Sequence, residues 1–451
     1  MIARDIAEFA TLASWTALSS AAREALELRV LDSLGCALAA QNGPVPSMAR
    51  AFVERAGGRP TCTLIGGGGA PPDRAAFYNT ALIRYLDFND AYLAPGETCH
   101  PSDAFGAVLA AAQESGASGA SLLTALAVAY QVQCRLSDEA PLRRRGFDHT
   151  THLACAVATG AARAFGLDIE RAANAIAIAT ATSPVLRVTR TGTLSHWKGL
   201  AAAHAAMVGT QAAMLAREGI TGPPEAFEGP AGFIETLSGR FHIHWPYEDL
   251  DSVILTSIKR FNAEIHAQSA VEAILELVAE NDVAAPAIES IRVDVFDVAF
   301  DIIGGGRAGP KTEVHTKEEA DHSLPYLVAV AVLDRQVMPE QFAPERIARG
   351  DVQALLRRVV VRPDPALSRA FPRELPCRIT IERKDGSQFV KEKRDYLGFH
   401  TRPMGRDDVS AKFRRLTGRC ITAERQVQIE TLVANLERTP VAQLCTLLER
   451  T

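Results

Sequence analysis

The sequence LDFNDAYLAPGETCHPSD, residues 86–103, separates two apolar helical runs and is turn-rich throughout. It carries three carboxylates and one imidazole: Asp87, Asp90, Asp103 and His100. The residues that follow, DAFGAVLAAAQESG, predict a helix capped by Ser102. His100 would then lie just outside a helix N-terminus, where backbone N–H groups favour an anion. A titratable imidazole beside acids at such a place suits proton abstraction next to a carboxylate, and a polar loop with a capped helix is the alternative interpretation.

On both sides of this stretch the first half of the chain predicts helix after helix. Apolar residues recur with helical spacing in LSSAAREALELRVLDSLGCALAA and again at 118–136, 150–165, 169–182 and 197–217. Gly166 and Gly219 stand where helices are expected to end. The many alanines are strong helix formers and allow close helix packing. We therefore expect an all-α domain here.

The pattern changes near residue 288. Apolar and polar residues alternate in ESIRVDVFDVAF, VVVRPD (359–364) is a β-branched run, and CRITIERKDGSQFVKEKR predicts a hairpin turning at Asp385-Gly386. Helical patterns at 318–334 and 344–357 lie between these strands, and the tail reverts to helices. The predicted fold is mainly α: a large all-α helical domain (1–258 and 397–451) with an inserted smaller α+β lid domain (259–396).

Composition excludes several classes of protein. The 451 residues carry a formal net charge of -5 and a pI of about 6.2, so no nucleic-acid surface is indicated. We predict no transmembrane helix and no signal peptide, and we expect a cytoplasmic protein with no membrane partner. The eight cysteines include no C-x-x-C pair and no zinc-ligand spacing, so no metal site is predicted.

Two further polar segments precede helices in the first domain. TRTGTLSHWKGLAAAHAAM places Lys198 in the first turn of an Ala-rich helix, where it would pair with a substrate carboxylate or act as an acid; a solvated lysine is the alternative. RRRGFDHTTHLACAV places His149 before another helix. Its spacing from His152 invites a metal interpretation, but no third ligand follows at a standard spacing, so we favour positioning or proton transfer by His149.

Segments at and beyond the predicted domain boundary add more charged groups. SIKRFNAEIHAQSAVEAI contains the cations and the acid–base pair of a candidate polycarboxylate pocket: Lys259, Arg260, Glu264 and His266. A charged first turn of a surface helix is the equal alternative. EADHSLPYLVAVAVL predicts a buried helix with Ser323 as its cap, on which His322 and Tyr326 share a face. The Tyr326 hydroxyl would either enter a cleft or anchor the core.

Glycine-rich segments do not supply nucleotide motifs. The run Gly66 to Gly69 does not fit G-x-G-x-x-G between a strand and a helix. GGGRAGPKT (304–312) lacks the Gly-Lys-Thr of a phosphate-binding loop, because Pro310 precedes the lysine.

Seven of these motifs, taken in order, resemble one family, the 2-methylcitrate dehydratase (MmgE/PrpD) family, which also contains cis-aconitate decarboxylases and an iminodisuccinate epimerase. The motifs are LDFND, HPSD, GFDH, the Thr-Gly…Lys198 segment, FNAEIHAQSAVEA, PKT and ADHSLPYLVAVA. The resemblance runs over nearly the whole chain. It implies a helical domain built from both chain ends with an inserted α+β lid. It further implies a cofactor-independent lyase that acts on a small polycarboxylate, usually as a homodimer.

Carried over by position, the resemblance implies that six residues line the active site: Asp87, His100, His149, Lys198, Lys259 and Tyr326. We predict catalytic roles for these except Lys259, with His100 as base or acid held by Asp87. Substrate binding is predicted for Lys259, and also for Asp90, Arg260, Glu264, His266 and His322.

Two positions bear on the reaction within this family. Dehydratases and decarboxylases often have a threonine where this chain has Ala91, which leaves the substrate open. The decarboxylase branch has a histidine where this chain has Glu264. The sequence therefore predicts dehydration of a hydroxylated polycarboxylate such as 2-methylcitrate, with decarboxylation or epimerisation as alternatives and a non-catalytic polycarboxylate-binding protein as the alternative from a different class.

Overall fold

The computed structural model describes residues 1–192 and 194–449, which fold as two compact units. Unit 1 comprises Met1–Thr189, Gly199–Ile258 and the chain from Met404 onward, and unit 2 comprises Arg190–Lys198 and Lys259–Pro403. We predicted domain changes at 258/259 and 396/397. The inclusion of Arg190–Lys198 in unit 2 was not predicted, and it matters because this segment carries Lys198.

Unit 1 is helical. Its long helices are Ile2–Leu12, Ser20–Ala40, Pro44–Ala56, Pro72–Tyr85, Phe105–Glu114, Gly119–Glu139, Thr150–Ala164, Ile169–Thr182, most of Trp197–Arg217, Arg406–Thr417, Ala423–Val433 and Val441–Glu449. Local chemistry sets several of their ends. Ser19 accepts a hydrogen bond from the Ala22 N–H as an N-cap, and Gly166 and Gly219 follow their helices with positive φ, as predicted. The mainly α prediction is confirmed.

The stretch 86–103 forms a short antiparallel ribbon, Tyr92–Leu93 against Thr98–Cys99, rather than an irregular loop. Before the ribbon, Ala91 exchanges two main-chain hydrogen bonds with Ser257. A 3-10 turn, Pro101–Ala104, then leads into the helix Phe105–Glu114. The prediction that Ser102 caps this helix is wrong, because its hydroxyl donates to the Asp90 carboxylate at 2.6 Å instead.

The sheet of unit 2 has, in its described residues, the strand order Val359–Pro363, Ile288–Val295, Cys377–Arg383, Gln388–Lys393. The first pair is parallel and the other two pairs are antiparallel. Every predicted strand is present, and the hairpin turns at Gly386 with φ +84°, as the Asp385-Gly386 signal indicated. Inward-facing residues such as Ile291, Val293 and Ile379 are fully buried.

Short helices accompany this sheet: Gln268–Glu280, Asp297–Ala299, Lys317–Ala320, Leu324–Asp334, Pro344–Ile347, Gly350–Leu356 and Pro365–Ser368. The helix predicted at 318–334 is interrupted after Ala320. Ser323 caps the second part by accepting the Tyr326 N–H at 3.1 Å, as predicted. The interruption places Asp321 and His322 between two helices.

One helix among the described residues, Trp197–Arg217, is long and apolar enough to cross a membrane by length and composition. Its mean hydropathy is 1.2, and 56% of the stretch is buried within the chain. A core helix passes the same test, so this is weak support for a membrane span.

Candidate active site

In unit 1 a buried guanidinium connects the acids of the 86–103 stretch. Arg84, on the last turn of the helix Pro72–Tyr85, forms an ion pair with Asp87, lies 3.2 Å from Nε2 of His100, and lies 3.7 Å from Asp103. The four side chains, the Arg84 group, are each at most 6% exposed. Two carboxylates thus face one guanidinium in an environment with little water, where charges interact strongly.

The neighbours of His100 define its protonation. Nδ1 lies 2.7 Å from the main-chain carbonyl of Asp90, which can only accept a hydrogen bond, so Nδ1 carries the proton. Nε2 faces the Arg84 guanidinium, which can only donate, so Nε2 presents its lone pair. His100 is therefore a neutral imidazole of fixed tautomer. We predicted Asp87 for this tautomer-fixing role. Nδ1–H instead donates its hydrogen bond to the main-chain carbonyl of Asp90.

Asp87 adopts a backbone conformation that side chains rarely take. Its φ is +55°, in the left-handed region, where Asp and Asn are tolerated better than other residues. Such strain persists only where the surroundings enforce it, and it concentrates at functional sites. Here the ion pair with Arg84 holds the side chain.

Asp90 shapes the stretch from within. One carboxylate oxygen accepts the main-chain N–H and the hydroxyl of Ser102, and the other accepts the hydroxyl of Tyr130 at 2.8 Å. Both oxygens therefore serve protein donors, and the residue is fully buried. This placement favours a positioning role for Asp90 over the substrate-binding role that we predicted.

His149 lies against His100 in unit 1. The two rings pack edge to face with centroids 5.5 Å apart. Nδ1 of His149 is 3.5 Å from the Asp148 carboxylate, which also lies 3.5 Å from Arg187. By contrast, burial lowers the pKa of His152 to about 4, so that histidine is neutral in the core. The structure thus brings His149, and not His152, to the Arg84 group.

In unit 2 a second group surrounds Asp321. Its carboxylate lies 2.7 Å from Nζ of Lys198, 2.6 Å from Nδ1 of His322 and 3.1 Å from Nζ of Lys317. We call these four residues the Asp321 group. Burial alone would raise the pKa of Asp321, but the charges of Lys198, Lys317 and His322 outweigh burial and hold that pKa far below its ordinary value. The carboxylate is permanently ionised.

The predicted acid–base pair of unit 2 is present. Glu264 accepts from Nδ1 of His266 at 2.7 Å and from the His266 main-chain N–H at 2.7 Å. Burial opposes ionisation, yet His266, His322 and Lys259 lower the pKa of Glu264 to about 2. The His266 ring packs against two stacked aromatic rings, those of Phe296 and Phe371. Lys259 is fully buried.

Two predicted site residues have other tasks. Arg260 pairs with Glu272 at 2.6 Å, and its side chain is 43% exposed. Tyr326 is fully buried, and its hydroxyl donates to the main-chain carbonyl of Gln341. Burial also raises the pKa of that hydroxyl well above its ordinary value, and these contacts favour the core-anchor alternative for Tyr326 over the predicted role as proton donor.

Sequence reasoning missed Arg84 and Asp321, the two residues around which these groups form. Arg84 was visible as a lone cation on an otherwise apolar helix, ALIRYLDF, three residues before Asp87. Asp321 stood within the recognised ADHS motif, but we placed it in a helical pattern at 318–334 and singled out only Ser323, as a cap, and His322. The break after Ala320 gives Asp321 its role.

Fold and site together define a mainly helical protein with two buried acid–base groups, one rich in carboxylates and one rich in lysines, suited to proton transfer on anionic small molecules. The chain belongs to the MmgE/PrpD family, because the N-terminal domain of that family matches residues 4–246 and its C-terminal domain matches residues 261–438.

Relatives within the family extend over most of the chain. It is 29% identical to 2-methylcitrate dehydratase of Salmonella typhi over 450 residues, covering 91% of this chain and 90% of the relative. It is 29% identical to 2-methylcitrate dehydratase of Escherichia coli K12, with 83% and 81% covered. It is 28% identical to cis-aconitate decarboxylase of Mus musculus, with 84% and 78% covered.

Proposed function

We propose that this protein is a carbon–oxygen lyase that removes water from a hydroxylated small polycarboxylate such as 2-methylcitrate, using its own side chains without a cofactor. The observation that carries the proposal is the neutral His100, whose tautomer is fixed by the Asp90 carbonyl and whose Nε2 faces the guanidinium that pairs with Asp87 and Asp103. Dehydration needs such a base for the C–H bond next to a carboxylate.

The charges of the Arg84 group favour His100 as the base. Arg84 carries one positive charge against the two negative charges of Asp87 and Asp103, so the group has a net charge of about -1 while His100 is neutral. Nε2 accepts from Arg84 in the structure, so proton uptake at Nε2 replaces this hydrogen bond and brings the group to neutrality. In a buried environment this compensation stabilises the imidazolium that proton abstraction creates.

His149 is our choice for the acid that protonates the departing hydroxyl. Its ring lies next to the base, and Nδ1 faces the Asp148 carboxylate, which orients the ring. Two neighbouring histidines with different surroundings thereby take different roles, which is how acid and base are separated at one pH. Lys259 stays our predicted cation for a substrate carboxylate.

Decarboxylation or epimerisation of a related polycarboxylate, such as cis-aconitate or iminodisuccinate, is the second candidate. Ala91 leaves the substrate open, because this fully buried residue offers only a methyl group where dehydratases and decarboxylases of the family often have a threonine hydroxyl. All three reactions pass through a carbanion-like intermediate. They differ in products: an unsaturated acid with water, CO₂, or a change of chirality alone.

The test incubates the protein with 2-methylcitrate and with cis-aconitate and measures unsaturated acid and CO₂ separately. We expect dehydration to exceed CO₂ release. His100→Gln should lose at least about 100-fold in turnover, whereas His242→Gln, the same change at an exposed histidine of unit 1, should retain it. Itaconate formed faster than any dehydration product would reject the dehydratase assignment in favour of the decarboxylase.

Solvent deuterium separates an enzyme from a binding protein. A lyase of this kind exchanges the C–H proton beside a carboxylate through its base, so deuterium should enter the substrate in heavy water and should not do so with His100→Gln. Tight binding of these acids without any exchange would leave only the non-catalytic alternative.

A further inference from the structure

The three shortest polar contacts of the Asp321 group join Asp321, His322 and Lys198. Nδ1 of His322 lies 2.6 Å from the Asp321 carboxylate and 2.8 Å from Nζ of Lys198, while the same Asp321 oxygen lies 2.7 Å from Nζ. The three atoms form a triangle in which each is within hydrogen-bond distance of the other two. All three residues belong to unit 2.

A triangle of this kind cannot satisfy every contact with fixed protons. A charged Lys198 donates to Nδ1 only if Nδ1 is unprotonated, but an unprotonated Nδ1 then meets the Asp321 carboxylate lone pair to lone pair. A protonated Nδ1 donates to Asp321, but it then meets a proton of Lys198 if the lysine is charged. The proton between Lys198 and His322 must therefore lie either on Nζ or on Nδ1. In both cases the nitrogen that carries the proton can donate a hydrogen bond to the Asp321 oxygen.

We propose that Lys198 and His322 share this proton beside Asp321 and act as a proton relay to an anionic oxygen of the substrate. The inference rests on the proposed function for its substrate and adds the path by which a proton reaches it. In this arrangement His322 is the catalytic residue, because it contacts the substrate. Lys198 supplies the proton through His322, and Asp321 positions both.

The transfer balances in atoms and charge. The base of the proposed function takes the proton of the substrate C–H bond, the electron pair of that bond moves into the adjacent carboxylate, and the Nε2–H proton of His322 moves to a carboxylate oxygen. Nδ1 of the same ring takes the proton from Nζ of Lys198, whose N–H electron pair stays on the lysine nitrogen. When the hydroxyl leaves as water, with a proton from the acid of the proposed function, the electron pair forms the new double bond and the two relayed protons return to Nε2 and to Nζ.

Exposure orders the three residues along this path. The Asp321 side chain is 1% exposed, that of Lys198 is 5% exposed and that of His322 is 14% exposed. The imidazole is thus the member of the triangle that a ligand meets, and the carboxylate is the member that no ligand reaches. If Lys198 donated directly to the substrate, its side chain would have to be more exposed than that of His322.

The surrounding chain fixes the triangle. Thr316 and Glu319 form a capping box at the start of the helix Lys317–Ala320, and Ser323 caps the next helix, so the residues between them are held at both ends. The main-chain carbonyl of Asp321 also accepts the N–H of Glu264 at 3.2 Å. Lys317 compensates the carboxylate from its other oxygen, so Asp321 stays ionised whichever residue holds the proton.

The test reads the protonation of Nδ1 in the free protein by nitrogen NMR of ¹⁵N-histidine-labelled samples, with the His322 signals assigned from the spectrum of His322→Gln. Lys198→Met removes the competing donor, so Nδ1 should become more protonated than in the wild type. Asp321→Asn removes the negative charge that stabilises a proton on Nδ1, so Nδ1 should become less protonated. The wild-type signal should lie between those of the two variants.

Any other order of the signals overturns the relay, including a wild-type signal that coincides with that of either variant, because a structural ion pair would leave Nδ1 in one state. Lys198→Met alone decides the matter if Asp321→Asn does not fold. Asp282→Asn is the matched control: it makes the same change at an exposed position of unit 2 whose positive φ suits asparagine, and it should leave the His322 signals unmoved.

Kinetics supply the catalytic half of the test. Asp321→Asn should lower kcat by at least about 100-fold while KM changes much less, and Asp321→Glu should recover part of kcat. Equal losses in kcat for both variants would reject the positioning role. The NMR order needs no substrate, so its failure in an active lyase rejects the relay alone, and the expected order in a protein without lyase activity rejects the proposed function alone.

Discussion

At the scale of single residues, removal of the Arg84 side chain should lower the free energy of unfolding the most. Arg84→Gln leaves the carboxylates of Asp87 and Asp103 buried without their cation, and breaking a buried ion pair in this way costs about 3–5 kcal/mol. We expect the melting temperature to fall and turnover to be lost together. Thermal unfolding and initial rates measure the two effects.

The comparison for Arg84→Gln is His100→Gln, which removes one hydrogen-bonding ring but keeps both charges of the ion pair with Asp87. Its stability should fall by only about 1–3 kcal/mol, with turnover lost to a similar extent. If Arg84→Gln melted at the wild-type temperature, the guanidinium would not be the centre of the group.

Glu264 gives a pH prediction with a definite sign. Its pKa in the folded protein is lowered from 4.5 to about 2, so its ionised form stabilises the fold above the unfolded pKa, and this stabilisation is lost as pH falls from 4.5 towards 2. The effect is on the order of 3 kcal/mol. The difference in unfolding free energy between the wild type and Glu264→Gln should be constant above about pH 5 and should shrink below 4.5.

Urea unfolding at a series of pH values measures that difference. Glu430→Gln is the control for the titration of other acids in this pH range. It makes the same change at an acid of unit 1 that has its own arginine partner. A wild-type-to-variant difference that stays constant down to pH 3 would show that Glu264 is not held ionised by His266, His322 and Lys259.

Residue-level prediction from the sequence worked where a motif is local. His100 meets the Asp90 carbonyl across 10 positions and Glu264 meets His266 across 2, so each pair lies within one recognisable segment. Arg84 meets His100 across 16 positions, and Lys198 meets Asp321 across 123 positions. Pairings at such separations depend on how the helices pack, which periodicity does not encode. Ser102 misled us because its hydroxyl donates to the Asp90 carboxylate and accepts from the Asn89 side-chain amide, rather than accepting a helix N–H.

At the scale of elements, the helix Arg406–Thr417 supports the 86–103 stretch from the C-terminal part of the chain. Nζ of Lys412 lies 2.8 Å from the main-chain carbonyl of Phe88, 2.6 Å from Asp32 and 3.9 Å from the centre of the Phe88 ring. The helix therefore fixes the residue next to Asp87. This contact joins the C-terminal part of unit 1 to the 86–103 stretch.

Lys412→Met should destabilise the protein by about 3–5 kcal/mol, because it leaves the Asp32 carboxylate buried without its partner. Adding Asp32→Asn should recover part of the loss, since burial already raises the pKa of Asp32 and a neutral amide suits that site. Urea unfolding of the two single variants and the double variant measures the coupling. Strictly additive losses would mean that the two side chains do not act as a pair.

The sequence predicted the helices and strands better than it predicted contacts between single residues. Helix spans such as 169–182 and 197–217 match the structure to the residue, and all strands of the unit 2 sheet were expected. Their patterns are long, regular and bounded by caps or glycines. The helix at 318–334 was the exception, since its apolar period continues through a break that only the contacts of Asp321 and Ser323 create.

At the scale of the whole molecule, each unit has its own core and its own buried charge cluster, and the chain passes between the units at residues 189, 198, 258 and 403. The change from helical to alternating pattern near residue 288 indicated an inserted segment. The sequence did not reveal that Arg190–Lys198 joins unit 2, because nine residues of mixed polarity carry no period. That segment delivers Lys198 to Asp321.

Two buried ion clusters allow the independence of the units to be tested by hydrogen exchange with mass spectrometry. Lys412 has its charged partner in unit 1, whereas Glu272 of unit 2 binds Arg260, Lys393 and Arg402. Because local opening follows the loss of local contacts, Lys412→Met should speed exchange in residues 20–40 and 86–103. Glu272→Gln should speed exchange in 268–280 and 377–393.

Each variant serves as the control for the other, and Lys391→Met, which breaks a largely surface ion pair in unit 2, should change exchange little, since such pairs contribute about 0–1 kcal/mol. The expected result is a crossed pattern: faster exchange in the unit that carries the substitution and wild-type exchange in the other. Faster exchange of equal size in both sets of peptides with either variant would mean that the chain opens as a single cooperative body, and the division into two units would then have no energetic meaning.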